Sequence, residues 1–432
     1  MNPVVDILSL DHEGHGVARI DGKVVFVDDA LAGERAEVAV YRRHAKYDSA
    51  NAVSILKSSA QRATPRCPYF GHCGGCSMQH LEVSAQVAAK QRVLEENLAR
   101  IGKVSPEVVM RALHGPSWGY RTRARLSSRL VDKKGGVLVG FREKRSSFIV
   151  DMTRCEILTP DVSALIQPLR ELIVQLSNAA RIPQVEVAVG EHITVLVFRL
   201  LEPWSDDDEA RVRSFADQHH VQVWEQKKGP DTVRPFWPDI APELSYSLPE
   251  FGLTMPFKPI DFTQVNVAMN RALVSRAMRL LDPQPGERIA DLFCGLGNFS
   301  LPIATYGAEV LGIEGSPELV ARARENALKN KLPNAHFVVD NLFEMTPEKF
   351  VTLGQIDKLL IDPPRSGALE VVKSLPDSGA PHRIVYISCD AATLARDAGE
   401  LCHNKGYRLE AAGVANMFPH TAHVESIALF KR

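Results

Sequence analysis

The sequence predicts an α/β chain in three parts: a small N-terminal antiparallel β-barrel, a central α+β segment, and a C-terminal doubly wound, mostly parallel sheet. Three observations carry that reading. Strand-like and helix-like stretches alternate from Gln264 onward, residues 3–58 alternate short β-rich runs with turns, and the 432 residues are 45% hydrophobic and 24% charged. That balance belongs to a globular chain, too apolar for disorder, and the length suits about three domains. The parts are set at residues 1–59, 60–262 and 263–432.

In the first part VVDILSL, GHGVARIDG, KVVFVDDAL, GERAEVAVYRR and ANAVSILK read as strands separated by turn residues. Gly14 and Gly16 before an alternating strand, with the basic-aromatic stretch Tyr41, Arg42, Arg43, Lys46 and Tyr47, make it resemble a TRAM domain, an OB-like RNA-binding module. A plain structural barrel with a solvated basic edge is the competing reading.

The second part opens on a loop-like stretch to His80, with Pro65, Pro68 and three glycines around Cys67, Cys73 and Cys76. A helix over about 84–101 follows, then strands near 121–131 and 137–151, a helix near 161–177 and strands near 185–201. Trp204 to Glu209 reads as an acidic turn, and the Pro-rich stretch Gly229 to Pro259 marks a boundary.

In the third part Leu273, Ala277, Leu280 and Leu281 predict a helix over 266–281 that stops at Asp282-Pro283. Strands RIADLF, AEVLGIE, AHFVV, KLLID and RIVYIS then alternate with helical stretches, and YRLEAAGVANMF with VESIALFKR closes the chain.

Lys and Arg total 51 against 52 Asp and Glu, so attraction to nucleic acid must come from local clustering, and histone-like binding is excluded. The densest cluster is Arg111 to Arg145, ten Lys or Arg against two acids, interleaved with Trp118, Tyr120 and Phe141. Such a mixture suits phosphates and stacked bases, with a merely solvated basic hairpin as the alternative. Asp6, Asp11, His12 and Glu13 interrupt any apolar run at the N-terminus, and no window suits a spanning helix. A cytoplasmic chain without a membrane partner is expected, its seven cysteines reduced, metal-bound or catalytic.

In an open parallel sheet the ligand sits beyond the carboxyl ends of the strands. Asp291-Leu-Phe-Cys-Gly295-Leu-Gly297-Asn298 ends the first of these strands, and Glu314, Asn341 and Asp362-Pro-Pro end the next three. Gly295 and Gly297 let backbone approach a ligand, and Glu314 lies where ribose hydroxyls need a carboxylate. Without a third glycine to cradle a pyrophosphate, S-adenosylmethionine fits better than a dinucleotide. Cys389 ends the strand RIVYIS just before a helix near Ala391, a position that predicts a thiolate favoured by the helix dipole and hence a nucleophile. Cys402, on an apolar helix face, reads as filler, as does Cys294.

Asp362-Pro-Pro-Arg365-Ser-Gly367, Ile384-Val-Tyr-Ile-Ser-Cys389 with Thr393, and Phe418-Pro-His420-Thr421-Ala-His423-Val-Glu425 resemble, in order, the signatures of the RNA uracil-5-methyltransferase family. With Phe262-Thr-Gln264-Val-Asn266 they cover the last 170 or so residues, and the TRAM-like start and clustered cysteines extend the likeness towards members acting on 23S ribosomal RNA. Two positions depart from the pattern: Asp390 and Asn416 stand where members usually have Asn and Asp.

The resemblance implies a Rossmann-like class I methyltransferase sheet with Gln264, Phe293, Asn298, Glu314, Asn341 and Asp362 lining an S-adenosylmethionine site. It implies Cys389 as the nucleophile and Glu425 as the base that takes a proton from carbon 5 of uracil. Cys67, Cys73, Cys76 and Cys155 are four soft thiolate ligands that suit zinc or a [4Fe–4S] cluster. A zinc ribbon lacks its second C-x2-C, and the resemblance favours a structural cluster in the central domain. The expected partner is 23S ribosomal RNA or a large-subunit assembly intermediate, and the expected state a monomer. Competing readings are methylation of a transfer RNA or another ribosomal uridine, a radical methylthiotransferase, and a non-catalytic RNA-binding assembly factor. The target base would have to leave its stack to reach the thiol.

Overall fold

The computed structural model describes residues 2–432. The alternation after Gln264 folds into an eight-stranded sheet in which Arg288–Leu292, Glu309–Glu314 and Ala335–Val339 follow one another to one side. Lys358–Ile361 and Arg383–Ser388 follow on the other side, all five strands being parallel. The order therefore reverses between Arg288–Leu292 and Lys358–Ile361, and that reversal opens a crevice at the carboxyl ends. Lys358–Ile361 is buried along its length, which is why it reads as a continuous apolar run. The strand Glu425–Lys431 enters antiparallel beside Arg383–Ser388, and Arg408–Ala415 pairs antiparallel on its far side.

The helix Val267–Leu281 forms where the apolar spacing predicts it. Asn266 caps its start by accepting the Met269 amide at 3.2 Å, and Asp282 ends it in the left-handed region at φ 52°. Its buried Leu273, Val274 and Ala277 share a core with Tyr246, Leu248, Leu253 and Met255 of the hairpin Ser245–Leu248 and Leu253–Pro256. A second piece of the region 60–262 also joins the C-terminal core: Leu94 and Leu98 pack there, and Val108–Val109 adds the edge strand beside Arg408–Ala415. Both attachments are made by apolar faces that meet at long sequence separation.

The N-terminal barrel has six strands, ordered Val4–Asp6, Arg35–Arg43, Tyr47–Lys57, Lys23–Asp28, Gly16–Ile20, Ser9–Leu10. It is not purely antiparallel as expected: Lys23–Asp28 and Tyr47–Lys57 run parallel, because the intervening strand Arg35–Arg43 reverses the chain once more before it returns. The central sheet orders Arg234–Trp237, Val221–Gln226, Thr194–Arg199, Gln184–Val189, Arg123–Val131, Gly136–Gly140. The expected helix near 161–177 is divided into Pro160–Ala164 and Ile166–Val174. The expected acidic turn is the first turn of a helix, Asp206–His219. Ser205 and Asp208 form a capping box, and four acidic side chains sit where the helix dipole favours negative charge.

The basic segment Arg111 to Arg145 is only partly a surface for phosphates, contrary to expectation. The guanidinium of Arg123 turns inward and donates to the carbonyls of Pro259 and Asp261 and to Thr263 Oγ1. Arg125 pairs with Glu186 at 3.1 Å. Lys144 reaches Asp29 at 3.3 Å, while Arg145 reaches Asp28 at 2.8 Å and lies over the Tyr41 ring. Three of these cations thus join the strand Arg123–Val131 to the chain before Gln264 and dock the barrel on the central sheet.

Arg123→Ala would leave two backbone carbonyls without donors, so it is expected to lower stability by about 2–3 kcal/mol. Thermal unfolding checks this, with the exposed Arg129→Ala expected to leave the midpoint unchanged.

Candidate active site

The crevice is built first from backbone. Phe293, at φ 63°, and Gly295 and Gly297, at φ 55° and 95°, turn the chain sharply after Arg288–Leu292. Space above Gly295 is open: a Cβ added there meets nothing within 4 Å, which leaves a cradle for a ligand. Glu314, at the end of the neighbouring strand, accepts the Gly295 amide at 3.2 Å and the Ser316 amide at 3.0 Å, so the carboxylate also holds the loop in shape. The rings of Phe293 and Phe343 lie 5.6 Å apart, and Asn341 is exposed beside them, its Oδ1 accepting the Phe343 amide.

Asn298 is committed inside the protein. Its Oδ1 accepts from Tyr246 and from Asn270 at 2.8 and 2.9 Å, and its Nδ2 donates back to Asn270 Oδ1 at 3.0 Å. Gln264 is half-buried two residues before the Asn266 cap. Asp291 lies beneath the loop, bonded to Ser300 at 2.5 Å, and burial pushes its carboxyl up to about 7.

The reactive pair follows from the reversed strand. Ser388 pairs with Ser426 across the antiparallel ladder, so Cys389, one residue past the end of its strand, and Glu425, at the start of the next, arrive at the same end of the sheet. Asp362 joins them from the end of Lys358–Ile361. Burial pushes Asp362 up to about 7, and burial followed by the Asp362 charge pushes Glu425 well above the usual carboxylate range. Cys389 is pushed up to about 11 by burial and then by Glu425 and Asp362, with Arg365 acting in the opposite sense.

Burial and the two carboxylates act against the thiolate that the strand-end position predicts. Asp390, the N-cap of Ala391–His403, accepts the amides of Ala392 and Thr393 at 3.0 Å each, so the helix terminus serves its carboxylate and not the thiol. Arg365, which the sequence offered only as part of a motif, is the cation that favours Cys389 ionised.

Cys389, Asp390, Arg365, Thr421 and His423 share one open groove with the barrel residues Ser9 to Glu13 and the face of Val83–Asn97 that carries Ala88, Ala89 and Arg92. The loop 416–423 that floors it is strapped from several sides. The His420 carbonyl accepts the amides of Ser77 and Met78 at 2.9 and 3.0 Å, its ring stacks on Trp118 at 3.8 Å, and its amide donates to Gln86 Oε1. Tyr120 donates to the Pro419 carbonyl at 3.0 Å. None of these straps is visible in local sequence. Cys67, Cys73, Cys76 and Cys155 line one small cavity with Phe70, Phe141 and Met152, although 78 residues separate Cys76 from Cys155. Burial raises all four thiols, Cys76 to about 12 and Cys155 to about 11; neighbouring cysteines add to this for Cys73, Cys76 and Cys155, and Glu156 for Cys67. Cys294 is buried in the core cluster that includes Leu296 and Phe299, and Cys402 packs half-buried against a second cluster that includes Leu401 and Leu409.

A parallel sheet whose strand order reverses beside a glycine turn open over Gly295 is the architecture of a methyltransferase domain, here carried with a small β-barrel. Residues 247–432 match the family model described as tRNA (Uracil-5-)-methyltransferase, and residues 4–53 match the TRAM domain. The chain belongs to the RNA uracil-5-methyltransferase family. A relative from Thiobacillus denitrificans, named 23S rRNA (uracil(1939)-C(5))-methyltransferase RlmD, is 82% identical over 100% of both chains. Relatives of the same name from Aromatoleum aromaticum and Nitrosospira multiformis are 59% and 58% identical, covering 100% of this chain and 100% and 99% of theirs. The solved structure of Pyrococcus abyssi tRNA (uracil-54, C5)-methyltransferase in complex with S-adenosyl-L-homocysteine shares the fold, at TM-score 0.75 and 24% identity over 99% of each chain. No helix among the described residues is long and apolar enough to cross a membrane.

Because burial pushes Cys389 up to about 11, its alkylation by iodoacetamide is expected to keep rising beyond about pH 10, with its inflection well above the ordinary thiol value of about 8.5. Glu425→Gln removes a like charge and should lower that inflection; Arg365→Ala removes the cation and should raise it. Peptide mass spectrometry of the Cys389 peptide across pH measures both.

Proposed function

We propose that this chain methylates carbon 5 of a uridine in 23S ribosomal RNA, the uracil 1939 of its relatives' names, through a covalent adduct with Cys389 that Glu425 resolves. The observation that carries the reading is the arrival of Cys389 and Glu425 at one end of two antiparallel strands, with Cys389 lining a groove shared with the barrel and Glu425 buried. The relatives' names support ribosomal RNA as substrate, and the TRAM match supports an RNA-binding barrel.

The strand ends suit the donor: Gly295 leaves backbone open to it, Glu314 holds that backbone, and Phe293, Asn341 and Asp362 end or follow neighbouring strands, while Gln264 and Asn298 enter the reading from the resemblance, Asn298 with its side chain held by Tyr246 and Asn270. When bound, S-adenosylmethionine supplies an electrophilic methyl group and leaves as S-adenosylhomocysteine. The Cys389 thiol gives up its proton to water in the open groove, with Arg365 favouring the ionised form, and Sγ bonds to carbon 6 of uracil. The electrons of the 5,6 double bond move towards the carbon 4 oxygen, which makes carbon 5 nucleophilic, and carbon 5 takes the methyl group. The Glu425 carboxylate then takes the carbon 5 proton, the double bond re-forms, and the carbon–sulfur bond breaks with its electrons returning to Sγ. A carboxyl whose burial raises its proton affinity is a stronger base for that step.

The four-cysteine cavity fits a [4Fe–4S] cluster held by Cys67, Cys73, Cys76 and Cys155. Buried thiols this reluctant to ionise need a cationic centre to exist as thiolates. A single zinc would draw four sulfurs to about 3.8 Å from one another. The missing second C-x2-C and the resemblance favour a cluster over zinc. With four protein ligands the cluster has no open iron, and its role is structural.

Cys389→Ser is expected to abolish methyl transfer and any denaturation-resistant RNA–protein band. Glu425→Gln should form the methylated adduct and hold it, visible as a band labelled from S-adenosylmethionine. Turnover of Glu425→Gln at the wild-type rate would remove Glu425 as the base. Anaerobically purified protein should carry about four irons per chain, and Cys155→Ser fewer; stoichiometric zinc without iron would overturn the cluster.

A further inference from the structure

The loop 416–423 leads from the strand Arg408–Ala415 into Glu425, and its start is fixed by register: Ala415 and Glu425 are direct partners across the ladder, with Asn416 next in the chain. A displacement at Asn416 is therefore one residue from the pair that sets Glu425, and Ser426 in turn pairs with Ser388 beside Cys389.

One amine reaches this point from outside the sheet. Lys90, on the inner face of the helix Val83–Asn97, is 2% exposed. Its Nζ donates to Asn416 Oδ1 at 2.7 Å and to the Phe418 carbonyl at 2.8 Å. Burial alone pulls the amine down to about 7, and no carboxylate counters it; His420 and His423, on the same loop, are the groups its charge depresses. A buried amine without a counter-ion does not help stability, since an apolar side chain of similar volume would avoid its desolvation. Such groups are retained where a site uses them.

We propose that Lys90 is a positioning residue of methyl transfer: by holding Asn416 and the Phe418 carbonyl it sets the path of the loop into Glu425, and so the placement of the base relative to Cys389. The proposal rests on the roles given to Cys389 and Glu425 above.

The test uses the full chain carrying Lys90→Met, one atom shorter than lysine, in which the absence of a charge to desolvate offsets the two acceptors left without a donor. Its thermal midpoint should stay within a few degrees of wild type, while kcat falls by about tenfold or more and KM for S-adenosylmethionine changes by less than about twofold. The labelled, denaturation-resistant adduct should accumulate above the wild-type level, because a misplaced base slows resolution more than attack. Asn416→Ala, which removes the partner, should give the same pattern and carries the test if Lys90→Met does not fold. Wild-type turnover in the variant, or turnover and adduct declining together with the thermal midpoint, would overturn the proposal. A labelled adduct persisting in a parallel Cys389→Ser control would instead overturn the covalent reading beneath it.

Discussion

A strand that runs backwards governs this active site. In a wholly parallel sheet every loop at the ligand end follows a strand, and a residue that begins a strand lies at the far edge. Inserting Glu425–Lys431 antiparallel beside Arg383–Ser388 brings a strand start and a strand end together, and the Ser388–Ser426 register places a thiol and a carboxyl side by side. The same reversal obliges the chain to turn through 416–423, which lines the groove. Burial then raises the proton affinity of both groups, and Arg365 acts in the opposite sense on the thiol.

Much of the rest of the molecule supports that turn. The helix Val83–Asn97 contributes Gln86 and Lys90, the segment before Arg123–Val131 contributes Trp118 and Tyr120, and the cysteine loop contributes the amides of Ser77 and Met78. Ser77 follows Cys76 directly, so the four-cysteine cavity and the catalytic loop are joined by backbone hydrogen bonds. An element holding the cysteines in place thereby also holds the floor of the groove.

Departures from the expected basic surface have one physical origin. Cations are attractive wherever acceptors lack donors, whether these are phosphates or the protein's own carbonyls and carboxylates. Arg123 is used on the carbonyls of Pro259 and Asp261, and Lys144 and Arg145 on Asp29 and Asp28. Charge counting along the chain cannot separate these destinations, because it does not register which face of a strand is covered by another part of the fold.

Periodicity and turn chemistry were enough to read the C-terminal alternation, the helix Val267–Leu281 with its caps, and the strand-end positions of Glu314, Asp362 and Cys389, since each depends on residues a few positions apart. Spacing also drew attention to Cys67, Cys73 and Cys76. Local pattern misread Trp204 to Glu209, where the acids that suggested a turn are the favourable first turn of a helix. Only the tertiary structure decided that Asn298 is held by Tyr246 and Asn270, that the helix start after Cys389 serves Asp390, and that Lys90 meets Asn416 across 326 residues. Proton affinities were likewise beyond the sequence, because desolvation depends on the sum of neighbours from every element packed around a group, and that sum exists only once the chain has closed upon itself.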